Sequence, residues 1–374
     1  MNFALSEEQE QLREQARELL EKECPTTRVR ESMARDDAHD TELWRTFARA
    51  GWLGVLVPEE HGGAGLAMLD AALLAAELGR AVAPGPFVAS SIGAVSALRE
   101  GGSKTQQKAW LPRLASGDAI LALALAEDAE ASLDPARVKL RAAKSGHGFR
   151  LDGAKLAVEA AGVADALLVA ARAPGRGAAV ELFLVPRAAP GVELEPLVGV
   201  DETRRLYDVR LRGVRVDADA LLPRGTRALP SVLDACAVAV AAESLGGAER
   251  ALELAVAYVK LREQFGRPVG SFQAVQHMAA ECVAQIEPAR ALLWYAAFAH
   301  DAAPKDAALA AAMAKAACSD LYRAVSRAAI EMHGGIGFTF ENDMHLWFKR
   351  ALANAAAFGD ARFHRERVAE LSGF

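Results

Sequence analysis

Apolar positions recur at helical spacing at both ends of the chain and alternate with polar ones in its middle. Near the start, Leu5, Leu12, Ala16, Leu19 and Leu20 fall close to the helical period, and Ser6 ahead of Glu8 and Gln9 supplies an N-cap, so this stretch predicts an amphipathic helix. Gly51-Trp52-Leu53-Gly54-Val55-Leu56-Val57-Pro58-Glu59-Glu60-His61-Gly62-Gly63-Ala64-Gly65 is too rich in glycine for a helix interior and predicts a loop packed by Trp52 and its aliphatic neighbours. From about Ile120 to about Leu222 the pattern shortens to alternation. Short strands are expected at Val138 to Ala142, Phe149 to Leu151, Leu167 to Ala170, Val180 to Val185, Tyr207 to Leu211 and Val214 to Val216, with turns at Ser145-Gly146 and Pro174-Gly175. Beyond Pro230 helical patterns return, with breaks expected at Gly246-Gly247, Gly266 to Gly270, Pro304 and Gly334-Gly335. The alanine-rich stretches Ala291 to Ala299 and Ala307 to Ala317 favour helix and allow helices to approach closely.

The expected class is α+β: an N-terminal helical domain over 1–118, a central β-barrel or sandwich over 119–225, and a C-terminal four-helix bundle over 226–374. A chain of 374 residues suits several domains. Although 52% of its residues are hydrophobic, charges interrupt every apolar run, so no membrane partner is expected. The opening Met1 to Glu10 is acidic and amphipathic and lacks the basic end and apolar stretch of a secretory leader, which makes the cytoplasm the expected location. Cys24, Cys236, Cys282 and Cys318 lie far apart without Cys-x-x-Cys spacing, so neither a disulfide framework nor a metal site is expected. The net charge of -6, with Arg204-Arg205 and the run Arg210 to Arg215 interleaved with acidic or apolar residues, argues against a nucleic-acid partner.

Two stretches carry candidate chemistry. Arg262-Glu263-Gln264-Phe265-Gly266-Arg267-Pro268-Val269-Gly270-Ser271-Phe272-Gln273 ends a helix with a permanently charged, planar fork suited to phosphate oxygens. Farther on, His333-Gly334-Gly335-Ile336-Gly337-Phe338 offers backbone free of β-carbons, which a pyrophosphate can approach closely. Each has a plainer reading, since an arginine near a helix C-terminus interacts with the helix dipole and a glycine-rich loop alone is a weak signal.

Together these stretches resemble the C-terminal signatures of acyl-CoA dehydrogenases. The Trp52 loop and Leu111-Pro112-Arg113-Leu114-Ala115-Ser116-Gly117 resemble the same family, as does the order of helical, β and helical layers, so the likeness covers essentially the whole chain. The resemblance implies an enzyme that uses FAD to dehydrogenate an acyl-CoA thioester between Cα and Cβ, passing electrons to an electron-transferring flavoprotein. It also implies an oligomer in which one subunit's bundle holds the ADP half of a neighbour's FAD. By that likeness Arg262, Gln264, Phe265, Phe272, Gln273, Gly334 and Gly335 are expected to contact the cofactor. The flavin-ring half departs from the family. Thr-Glu-Pro is replaced within Ala124-Leu125-Ala126-Glu127-Asp128-Ala129, and the aromatic residue followed by threonine is missing from Lys155-Leu156-Ala157-Val158-Glu159. Glu331 replaces the usual glutamine two residues before the paired glycines, an ill fit beside phosphate unless its charge is neutralised.

Dehydrogenation of this kind needs a carboxylate in near contact with the α-proton. The family's aromatic-Glu-Gly-Thr segment reads Phe358-Gly359-Asp360-Ala361, with glycine in place of the base. Asp360 is the candidate catalytic residue in the chain, one position on, an offset of roughly 100° on a continuous helix; its plainer reading is a helix N-cap or a partner for Arg362 or Arg365. At a second family location for the base the register places Cys236, while Glu243 lies about 10 Å farther along the helix and reads as an exposed or interface acid. Glu127 reads as a surface or capping acid. These departures most resemble the shorter subunit of heteromeric acyl-CoA dehydrogenases, in which the longer partner supplies base and ring contacts. A self-sufficient homo-oligomer using Asp360 and a non-catalytic scaffold of the same fold remain as alternatives.

Overall fold

A computed structural model describes residues 5–128, 137–173 and 179–374. The expected turn at Pro174-Gly175, the end of the altered loop at Ala129 and the opening Met1 to Ala4 lie outside the described residues. The chain divides into two compact units, one of residues 1–30, 72–83 and 237–374 and the other of residues 31–71 and 84–236.

In the first unit, α1 (Glu7–Glu23) starts on a reciprocal cap. Ser6 Oγ accepts from the Gln9 amide at 3.2 Å while Gln9 Oε1 accepts from the Ser6 amide at 3.1 Å. Ala16 and Leu20, on its apolar face, are buried. Most of the unit is a helical bundle built from α7 (Gly225–Leu261), α8 (Gln273–Ala302), α9 (Ala307–His333), α10 (Met344–Ala356) and α11 (Ala361–Leu371). Helix α9 lies at its centre and packs against α8, α10 and α11. Its buried alanines at 310, 311, 312 and 314 keep it slim enough to have neighbours on several sides.

The break expected at Gly246-Gly247 does not occur, and α7 runs straight through it. These glycines are there for contact. A β-carbon on Gly246 would stand 1.9 Å from the Ala76 carbonyl oxygen, and one on Gly247 would stand 2.4 Å from the Tyr322 ring. Gly79, on α4 (Met68–Arg80), meets the Glu243 carbonyl in the same way, so α4 and α7 touch backbone to backbone. Packing here outweighs the roughly 1 kcal/mol that glycine costs a helix. Among the described residues α7 is the helix long and apolar enough to cross a membrane, and 83% of its apolar window is buried inside the fold, as in a core helix. It also begins before Pro230, which sits within its first turns.

The second unit is built on α3 (Thr41–Arg49), α5 (Val95–Gly101), α6 (Lys104–Ala115) and one seven-stranded sheet. Strands β1 (Leu121–Ala124), β4 (Ala166–Arg172), β2 (Arg141–Ser145), β3 (Gly148–Glu159), β7 (Leu206–Asp217) and β6 (Val192–Leu197) follow one another, and β5 (Val180–Pro186) pairs with β4. The β1–β4 and β2–β4 pairings are parallel and the others antiparallel. Ser145-Gly146 turns β2 into β3 as expected. The two strands expected at 207–211 and 214–216 are one, because Gly213 at φ +63° lets β7 continue past a register shift. Strand β6 escapes the sequence reading because it lies at the sheet edge with every residue at least partly exposed, and it tolerates Pro196 there. Trp52, Leu53, Val55, Leu56 and Val57 of the glycine-rich loop are buried, as its composition implies.

Replacing Gly246 by alanine is expected to destabilise the protein by about 2–3 kcal/mol, because a backbone carbonyl cannot yield as a flexible side chain can. Urea denaturation measures this, and a loss under about 0.5 kcal/mol would contradict the backbone contact.

Candidate cofactor site

The two C-terminal stretches meet at one end of the bundle. Tyr258 near the end of α7 stacks on His333 at the end of α9, with ring centroids 4.6 Å apart and planes at 24°. His333 is buried and its Nδ1 donates to the Ala329 carbonyl at 2.7 Å, so its tautomer is fixed by the helix and its role is to join the two ends.

After Arg262 the chain makes a tight hairpin in which Glu263 pairs with Pro268 and Gln264 with Arg267. Its two central residues, Phe265 at φ +55° and Gly266 at φ +77°, both lie in the left-handed region, as a primed turn requires. Gly266 suits this conformation and Phe265 does not. The Phe265 ring is also 94% exposed and meets Phe272 edge-on with centroids 6.2 Å apart. Arg262 is exposed and its guanidinium has no ion pair or side-chain hydrogen bond among the described residues. Arg267, not singled out in the sequence, stacks its guanidinium on the Phe272 ring at 4.1 Å and is a second cation here. Gln264 Nε2 donates to the Glu263 carbonyl at 2.8 Å, and Gln273 opens α8 with an exposed side chain.

Gly334 and Gly335 are exposed, and a β-carbon built on either meets nothing within 4 Å. Gly334 has φ +63° and ψ -146°, a conformation left essentially to glycine. Gly337 differs: it is buried, and a β-carbon there would stand 2.6 Å from the Ile330 carbonyl, so it closes the turn on α9. The charge of Glu331 is matched, since Arg327 Nε donates to it at 3.0 Å one helical turn earlier. An unpaired guanidinium, a second cation on an aromatic face, exposed rings and open glycine backbone therefore share one bundle end. That donor set fits a pyrophosphate joined to an aromatic base.

Asp360 is the N-cap of α11, its carboxylate accepting from the Phe363 amide at 2.7 Å. Before it, Phe358 at φ +53° and Gly359 at φ +91° form a left-handed pair. Glu243 is neither exposed nor an interface acid. It is buried, 2.6 Å from Arg350 Nη1, and receives the Asn354 amide at 3.3 Å. Cys236 is buried and burial drives its thiol pKa upward, so it stays protonated and inert.

In the second unit the altered flavin-ring segments adjoin, with the Leu156 amide donating to the Ala126 carbonyl at 2.9 Å. A register shift in β3 between Lys155 and Val158 accompanies Ala157 at φ +52° and leaves Lys155 fully buried. Its Nζ donates to Glu127 Oε1 at 2.6 Å and to the Leu125 carbonyl at 2.9 Å. Glu127 also accepts from the Lys139 and Leu140 amides, so it is the inner partner of a buried pair rather than a surface acid. Burial pulls the Lys155 pKa down while Glu127 opposes the shift.

The chain belongs to the acyl-CoA dehydrogenase family. Models of the family's N-terminal, middle and C-terminal domains match residues 6–118, 122–214 and 223–372. Acyl-CoA dehydrogenase IpdE2 of Mycobacterium tuberculosis is 34% identical over 93% of this chain and 92% of its own. A chain of the ChsE4-ChsE5 complex from Mycobacterium tuberculosis superposes with a TM-score of 0.92 at 30% identity, covering 100% of both chains. A chain of a variant of the Tcur3481-Tcur3483 steroid ACAD gives 0.88 at 34% identity over 98% of both.

Removing Glu127 strands the Lys155 ammonium, so Glu127→Ala is expected to cost about 3–5 kcal/mol in chemical denaturation, and the uncharged pair Glu127→Gln with Lys155→Met to recover most of it. A single-variant loss below about 1 kcal/mol would contradict a buried pair.

Proposed function

We propose that this chain takes part in FAD-dependent α,β-dehydrogenation of an acyl-CoA thioester in the cytoplasm as one subunit of a heteromer, lending its bundle end to the ADP half of a partner subunit's FAD. The observation that carries this is the Phe265 hairpin: a bulky residue held at φ +55° with its ring 94% exposed beside an unpaired Arg262. Such a conformation costs on the order of 1–3 kcal/mol, and among the described residues only the hairpin pairing and the edge contact with Phe272 offset it. A nucleotide laid on the hairpin adds to these.

In this reading Arg262 and Arg267 meet the pyrophosphate, Phe265 and Phe272 face the adenine side, Gln264 and Gln273 supply side-chain amides, and Gly334 and Gly335 admit the phosphates to the backbone. Bound FAD supplies the hydride acceptor. The base comes from the partner, since Gly359 has no side chain and the Asp360 carboxylate caps α11. An acyl group on CoA is the substrate, and an electron-transferring flavoprotein reoxidises the flavin. The similar chains of the ChsE4-ChsE5 complex and of the Tcur3481-Tcur3483 steroid ACAD support the heteromer, and the latter supports a steroid-bearing acyl group.

The test is flavin retention by the assembly of this chain with a dehydrogenase-like partner. Arg262→Ala is expected to weaken FAD binding by roughly 30–150-fold, the loss of one charge-assisted phosphate contact, with Arg262→Lys between the two. Unchanged retention in Arg262→Ala would remove the basis of the reading.

A further inference from the structure

We propose that Lys315 and His364 are positioning residues that lock the Phe358-Gly359-Asp360 turn in a left-handed form with no room for a side chain at 359, so that restoring a carboxylate there cannot return this chain to base catalysis. The inference rests on the preceding reading in one respect, that this turn stands where the family carries its base.

Lys315, in the middle of α9, is fully buried and forms no ion pair among the described residues. An ammonium has three N–H donors, and here each has one acceptor: Ser319 Oγ at 2.9 Å, the Asn354 carbonyl at 3.0 Å near the end of α10, and the Gly359 carbonyl at 2.9 Å in the turn itself. A buried charge with every donor satisfied by oriented dipoles is tolerable, whereas the same charge with one donor idle is not. The Gly359 carbonyl is thus held from inside the bundle. The preceding carbonyl is held from the other side, since His364 Nε2, in the first turn of α11, donates to the Phe358 carbonyl at 2.9 Å. The buried His364 Nδ1 has no partner among the described residues and Nε2 donates to a carbonyl, which fits the neutral Nε2–H tautomer.

Between these two anchors the backbone leaves no space. A β-carbon on Gly359 would stand 2.6 Å from the Phe363 ring and 2.9 Å from His364 Nε2, at a φ of +91° that L-residues rarely adopt. Phe358 occupies φ +53° despite its bulk, a strain that persists because its carbonyl is clamped. The glycine at 359 is therefore more than a deleted carboxylate. Backbone and neighbours fit glycine alone.

Burial and the nearby cations Lys315 and Arg367 hold the His364 pKa down to about 4, against the opposing pull of the Phe358 carbonyl and Asp360. Burial likewise lowers Lys315 to about 8, with Cys318, Asp360 and Asp320 opposing, so at neutral pH the lysine is charged and the histidine neutral. The ring therefore reports on the turn: opening it exposes the imidazole and returns its titration toward the ordinary value.

Three measurements on the full chain test the lock. Gly359→Ala is expected to lower the melting temperature roughly 2–5 °C further than Gly146→Ala, whose φ of +61° is similar but whose β-carbon meets nothing within 4 Å. In Lys315→Met, NMR should show faster hydrogen exchange of the Phe363 and His364 amides, which donate to Asp360 across the turn, beyond the rise in His364 titration that loss of the neighbouring charge alone brings, while the fold's melting remains cooperative. Gly359→Glu, alone or assembled with its partner, should not raise exchange of an acyl-CoA α-proton in heavy water above that of the parent chain. Equal alanine costs at 146 and 359, unchanged exchange of the Phe363 and His364 amides in Lys315→Met, or α-proton exchange by Gly359→Glu above that of the parent chain would each overturn the lock; the alanine comparison remains decisive should Lys315→Met not fold. None of these readings depends on Arg262, so failure of the flavin grip and failure of the lock are separately visible.

Discussion

The packing of α7 against α9 sets the register on which the candidate site depends. A β-carbon on Gly247 would stand 2.4 Å from the far end of the Tyr322 ring, so the glycine makes room for that side chain between the two helices. Eleven residues on in both helices, Tyr258 stacks on His333. Eleven residues is close to three helical turns, so both contacts lie on one seam of two helices running side by side in the same direction. The stack itself contributes only about 0.5–1.5 kcal/mol beyond its area, but its position decides that the loops after Arg262 and after His333 end beside each other. A side chain at Gly247 would displace the Tyr322 ring and so disturb the seam that places the two loops.

From that seam outward the chain treats its polar groups in two ways. At the bundle end, Arg262, Arg267 and Phe265 are left facing solvent, and the backbone adopts strained or glycine-only conformations without an internal reason. Elsewhere the buried charges at three places are closed on neighbouring groups: Glu243 on Arg350 and Asn354, Lys315 on three oxygens, Glu127 on Lys155. Charges satisfied in this way hold the fold and have little capacity left for a ligand. Exposed cations and rings beside open glycine backbone are what a nucleotide requires. This asymmetry is the physical content of the proposal that the chain grips a cofactor whose chemistry is completed by another subunit.

Much of the architecture was legible because it rests on periodicity. The helical ends, the alternating middle and the Ser6 cap follow from spacing that a sequence shows directly. Gly246 and Gly247 misled the reading because a glycine that breaks a helix and one that admits a neighbouring helix look the same until the neighbour is known. Strand β6 was hidden by its edge position, which removes the buried alternation that marks a strand. For the candidate site, Arg262, Phe265, Gly334 and Gly335 were proposed through the family's pattern, and the structure brings their two loops to one end of the bundle. Arg267 was missed because its place over Phe272 is a property of the hairpin. The partners of Glu127, Glu243 and Lys315 could not be read at all, since each lies on a distant segment and charge pairing leaves no periodic trace.

The most direct measurement of the central claim is a count of flavin per polypeptide, made on this chain purified alone and on its assembly with a dehydrogenase-like partner. The account predicts no stoichiometric flavin in the chain alone and one FAD for each pair of unlike chains in the assembly. One FAD retained by every copy of the isolated chain would contradict it.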